Sequence, residues 1–131
     1  MELTDLYDIA EEDGIDIIDV SLDSHLALSV NDNGHCTIAL DSAGMTTAEE
    51  KTTLAHEMGH CEKNAFYDES ATVEEKRICE GKADRWAIEN LIPLADILEA
   101  YKAGITNRWE LAEYFGVTEE FMEKALQKYT A

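Results

Sequence analysis

Neither lysine nor arginine occurs in residues 1–50 of this 131-residue chain, although that stretch holds 13 of its 29 acidic residues. The N-terminus therefore lacks the basic flank of a secretory leader. No later stretch approaches the ~18 consecutive apolar residues that a membrane span needs. Both absences predict a cytoplasmic protein. The net charge of −19 gives a field of one sign, which repels nucleic-acid phosphates and favours basic partners. Cysteine is also scarce: Cys36, Cys61 and Cys79 are an odd set, unlike the even, dense framework of a small secreted domain, and free thiols are expected. Repeats, low-complexity tracts and obvious linkers are missing as well. With 45% hydrophobic residues in patterned positions, one compact domain is the expectation.

What is present reads as an α+β chain. Leu3, Leu6, Tyr7 and Ala10 fall at helical spacing before Gly14, which predicts a helix over 3–12. Three β-rich runs follow, IDIIDV (15–20), LALSV (26–30) and HCTIAL (35–40). Asn33-Gly34 suits the positive-φ positions of a hairpin turn between the last two, so a small, mostly antiparallel sheet is expected. Thr46 with Glu49, or Thr47 with Glu50, can form a capping box at the start of a helix. Further helices fit 74–91, closed by Pro93, then 94–101, 108–115 and 118–129. Residues 1–93 would form the core and 94–131 a helical extension packed on it.

The helix that starts near residue 46 carries LAHEMGHC (54–61). His56 and His60 are four apart and so project from one face, where two imidazoles can share an ion. Glu57 beside them is placed to act as general base toward the attacking water and to return the proton to the leaving amine. Leu54, Met58, Cys61 and Ala65 give the helix an opposite, apolar side. A shuffled chain of this composition would produce H-E-x-x-H in about one or two cases per hundred, so a third ligand is needed to strengthen the reading.

That ligand is sought in CEGKADRWAIENLIP (79–93). Glu80, Ala83, Asp84 and Ala87 share a helical stripe. Glu80 would reach the metal, and Asp84 would accept a hydrogen bond from the far nitrogen of a ligating histidine. Ala83 and Ala87 would let this helix approach the histidine helix closely. A solvated surface helix is the plainer account of the same charges. Lys82 is cationic and cannot ligate. Cys61 and Cys79 point away from the ligand positions and fit small buried hydrophobes, while His25 and His35 lie in the strand region as ordinary polar histidines. Tyr67 is a candidate for stabilising an oxyanion, with core or lid packing as its alternative.

These two segments, with ITNRWELAEYFGVTEEFMEKAL behind them, resemble the ImmA/IrrE family of metallopeptidases, especially small prophage and mobile-element members. The resemblance spans about residues 35–129 and rests on the H-E-x-x-H helix joined to an E-x-x-A-D helix that ends at a proline. It implies a zincin-like fold and Zn²⁺ held by His56, His60 and Glu80. It further implies an anti-repressor that cleaves the helix-turn-helix repressor of its own phage or mobile element. Segment 110–126 itself looks like a helix-turn-helix. Residues 107–131 set Arg108, Lys124 and Lys128 against five glutamates, so direct nucleic-acid binding is not expected. Two functions remain open on the sequence. One is a zinc endopeptidase whose substrate strand pairs with the sheet edge near CTIALD. The other is a non-catalytic metal-containing module that sequesters a repressor or toxin.

Overall fold

The computed structural model describes residues 1–23 and 26–130; His25 lies outside them. Among these residues there are six helices and three strands. They run as α1 (Leu3–Glu12), β1 (Asp16–Asp19), β2 (Ala27–Asp32), β3 (His35–Leu40), α2 (Thr47–Glu62), α3 (Val73–Leu91), α4 (Leu94–Lys102), α5 (Arg108–Phe115) and α6 (Glu119–Thr130). None of these helices is long and apolar enough to cross a membrane.

Local chemistry explains the boundaries. Thr46 caps α2 reciprocally with Glu49, each side chain bonding the other's backbone N–H at 3.1 and 2.9 Å. Thr72 and Glu75 repeat the device at α3, so orphan N–H groups at both starts are satisfied. Asn33 and Gly34, at φ 52° and 88°, form the tight turn between β2 and β3.

The sheet order is β1-β3-β2, with β1 parallel and β2 antiparallel to β3. It is thus mixed rather than mostly antiparallel, because β1 does not pair with β2, the next strand in sequence, but lies on the far side of β3 and runs parallel to it. This order also corrects the expected substrate edge. CTIALD belongs to β3, whose hydrogen-bonding groups are taken on both sides, and β2 is the edge strand next to α2.

Alternation along β3 sends Cys36, Ile38 and Leu40 inward. There Cys36 and Ile38 join Leu54 and Met58 of α2, Leu6 of α1 and Ile88 of α3 in one continuous core that also takes in Leu111 of α5 and Met122 of α6. Lys51 is almost fully buried, and its Nζ donates to the Phe115 carbonyl at 2.6 Å. That places a cation on the C-terminal carbonyls of α5, where the helix dipole favours it. Burial, the largest influence, pushes its pKa below the ordinary lysine value.

The thiol expectation fails for one pair. Cys36 and Cys61, 25 residues apart, are joined by a disulfide, while Cys79 is a free, half-buried thiol. The inward face of β3 meets the last turn of α2, a juxtaposition created by tertiary packing and invisible in the spacing of the cysteines.

Candidate metal centre

The helical repeat brings His56 and His60 to the surface of α2 that faces α3, with Glu57 beside them lining the adjoining recesses. The two helices approach closely because Gly59 has no side chain. A Cβ there would stand 2.4 Å from the Ala83 carbonyl oxygen and 2.8 Å from its Cα. Ala83 and Ala87 are fully buried in this seam, which carries Glu80 and Asp84 to the histidines.

Glu80 bridges the two rings. Its Oε1 lies 2.9 Å from His56 Nε2 and its Oε2 lies 3.2 Å from His60 Nε2. The two Nε2 atoms are themselves 3.2 Å apart, and one ligand atom from each of the three residues falls within 4.8 Å of the others. Far nitrogens fix the tautomers. His56 Nδ1–H donates to Asp84 Oδ1 at 2.7 Å, and His60 Nδ1–H donates to the Ala65 carbonyl at 2.6 Å. Because a carboxylate and a carbonyl can only accept, each Nδ1 carries a hydrogen, which leaves Nε2 as the ligating nitrogen of each ring, facing Glu80. Two lone pairs and a carboxylate converging on one point repel each other unless a cation sits among them. The donor set therefore fits a metal ion, and two imidazoles with one carboxylate is a set that suits zinc.

Electrostatics agree with this. Burial, the largest single influence on His56, opposes its charged form. The hydrogen bond and charge of Asp84, with Glu57 and Glu80 nearby, outweigh it and raise the pKa above that of an ordinary histidine. Burial likewise works to raise the pKa of Asp84, but its bond to His56 and the Lys124 ammonium hold it low. The same carboxylates that favour an imidazolium favour a bound cation.

Three features of the site escape sequence reasoning. The first is the Ala65 carbonyl, which is presented because Asn64 adopts φ 50° after α2 and turns the chain back, with Ala65 N–H on His60 O at 3.0 Å. Asparagine just past a helix end is a signal for such a turn. Lys124 of α6 is the second, reaching Asp84 Oδ2 at 3.3 Å. Gly59 is the third. Tyr67 does lie at the site, although its hydroxyl donates to Glu80 Oε2 at 2.8 Å. That hydrogen bond, ahead of burial, raises its pKa and keeps it a donor. His35 is remote, bonded to Asp16 on the sheet at 2.8 Å.

Two recesses meet at Glu57 and Glu80. One, of about 420 Å³, lies under β2 and is lined by Leu28, Ser29, Phe66 and Tyr67. The other, of about 390 Å³, runs past His56 and Asp84 to Phe121 and Lys124 of α6. Together they form an open cleft from the sheet edge to the last helix.

The basic residues of the C-terminal helices are engaged within the chain. Arg108 pairs with Glu119 and Glu123, Lys124 with Asp84, and Lys128 with Glu89.

In comparison with known families, residues 10–127 match the model of the IrrE N-terminal-like domain, a peptidase family. Neither curated proteins nor solved structures give a significant match.

Proposed function

The chain belongs to the IrrE N-terminal-like domain family of peptidases, and from that premise we propose that it is a zinc-dependent endopeptidase acting on a helix-turn-helix repressor of a phage or mobile element. The observation that carries the reading is the convergence of His56 Nε2, His60 Nε2 and the Glu80 carboxylate beside Glu57, in a cleft bordered by a free strand edge.

Zinc held by His56, His60 and Glu80 would supply Lewis acidity at the scissile carbonyl and lower the pKa of the attacking water. The chain's own groups do the rest. An extended segment of the substrate adds to the outer edge of β2, where main-chain hydrogen bonds align it over α2. Glu57 takes a proton as the water oxygen bonds to the carbonyl carbon. It then delivers that proton to the amide nitrogen as the C–N bond breaks, leaving an amine and a carboxylic acid that loses its own proton to solvent. Asp84 and the Ala65 carbonyl hold the histidine rings in one orientation. Tyr67 holds Glu80 and, from the rim of the cleft, can turn its hydroxyl toward the developing oxyanion. The acidic surface favours a basic partner, and the internal pairing of Arg108, Lys124 and Lys128 leaves the C-terminal helices poorly suited to duplex DNA.

Incubation of the zinc-loaded protein with the repressor encoded beside its gene, read by mass spectrometry, tests this. A single cleavage that Glu57→Gln abolishes is expected. Binding of that repressor without cleavage by the wild-type protein would replace the reading with sequestration.

A further inference from the structure

The face of the sheet turned away from the helices carries an apolar row, and among the described residues no helix covers it. Register fixes its composition. Ile18 of β1 and Leu28 of β2 both stand opposite Ala39 of β3, and Val30 and Asp16 both stand opposite Thr37. These residues share one face because side chains alternate along each strand. Ile18, Leu28 and Val30 are 48%, 40% and 55% exposed, and Leu26, just before β2, is 61% exposed. Aliphatic side chains clustered this way are unlike scattered surface hydrophobics and mark an interaction site.

Charge identifies the occupant. Asp16 and Asp32 flank the apolar row at one end, and Asp41 stands at the other with its carboxylate on the Leu22 N–H. His35 on this face is bonded to Asp16, and no lysine or arginine occurs in residues 1–50. Two copies of the face would oppose carboxylate to carboxylate, which disfavours self-association, and an anionic surface would be repelled. Dimensions narrow it further. Three strands span about 14 Å and six residues about 20 Å, enough for one helix of ~10–12 Å diameter and three to four turns. A helix laid there completes a helix-sheet-helix sandwich.

We propose that the open sheet face docks one cationic amphipathic helix of the protein substrate, apolar stripe on Ile18, Leu28 and Val30 and basic flanks on the aspartates. Its identity as part of the substrate rests on the peptidase reading. Because β2 borders both this face and the cleft, a docked helix would hold the following segment near the β2 edge, raising its effective concentration there.

The test uses the full-length, zinc-loaded Glu57→Gln protein and three synthetic 14-residue peptides. One is a leucine/lysine amphipathic helix, the second carries glutamate for lysine, and the third carries serine for leucine. Nuclear magnetic resonance titration should place the leucine/lysine peptide on Ile18, Val30 and Ala39, none of which lines the cleft, with neither control binding. Ile18→Ser and Val30→Ser together should weaken it roughly tenfold or more, as expected for two lost aliphatic contacts, and the single Val30→Ser variant should show part of that loss. Equal binding of the serine/lysine peptide, shifts confined to the cleft, or a dimer through this face in sedimentation would overturn the proposal. Repressor cleavage by the wild-type protein is scored separately. Docking without cleavage would sink only the peptidase reading, and cleavage without docking would sink only this one.

Discussion

Gly59 and Ala83 meet backbone to backbone, with no room for even one methyl group between α2 and α3. The contact sets the distance across which Glu80 reaches His56 and His60. Alanine at position 59 should favour the isolated helix by up to about 1 kcal/mol. The clash, against backbone rather than a flexible side chain, should cost more than that, about 1–3 kcal/mol as overpacking typically does. We expect Gly59→Ala to lower the melting temperature and to weaken zinc binding together. A variant as stable as wild type, with full zinc occupancy, would show that the helices are free to separate.

Zinc binding should depend unequally on the residues around the site. On the proposed assignment, Glu80→Gln removes a ligand and should lose most of the bound metal. Asp84→Asn would leave the three proposed ligands in place but free the His56 ring to turn, and a 10- to 100-fold loss of affinity is typical for such partners. Competition against a fluorescent chelator measures both. Full occupancy in Glu80→Gln with loss in Asp84→Asn would reverse the assignment of ligand and support.

How far the sequence carries the fold is seen best in α1 and α2. Leu3–Glu12 matches the expected helix because its apolar positions repeat at helical spacing, and α2 begins where Thr46 and Glu49 close their capping box. Such signals are local. The neighbours of β3 are not local: its pairing with β1 is parallel and crosses the whole hairpin, so neither the mixed sheet nor the free edge at β2 could be read from strand propensity. The site divides in the same way. His56, Glu57 and His60 share one helix and Glu80 and Asp84 another, so their spacing shows which could meet. The Ala65 carbonyl carries no side-chain signature, and Lys124 comes from a helix whose packing the sequence does not specify.

Removing the metal should destabilise the folded state by mass action. Free zinc at 100 times its dissociation constant adds about 2.7 kcal/mol, equivalent to a rise of roughly 10 °C in melting temperature for a domain near this size. The wild-type protein should therefore melt lower in a chelator than in zinc, and Glu80→Gln should lose most of that difference. Identical melting of the wild-type protein in both conditions would mean that no metal binds the folded chain in preference to the unfolded one.

The bond between Cys36 and Cys61 ties the central strand to the turn of α2 that carries His60. In the oxidised protein, thiol titration should find one reactive group, Cys79, before reduction and three after reduction under denaturing conditions. Closing a loop of 25 residues removes chain entropy worth about 3.5 kcal/mol from the unfolded state. Cys36→Ser should therefore unfold at lower denaturant than the oxidised wild type. Reduction alone should reproduce most of that loss, since Cys36 is nearly buried and Cys61 half-buried, and both can stay packed as thiols. The comparison separates the crosslink from the packing of its sulfurs. A reduced wild type as stable as the oxidised one, beside a weakened Cys36→Ser variant, would assign the effect to packing and remove the bond from the account of stability.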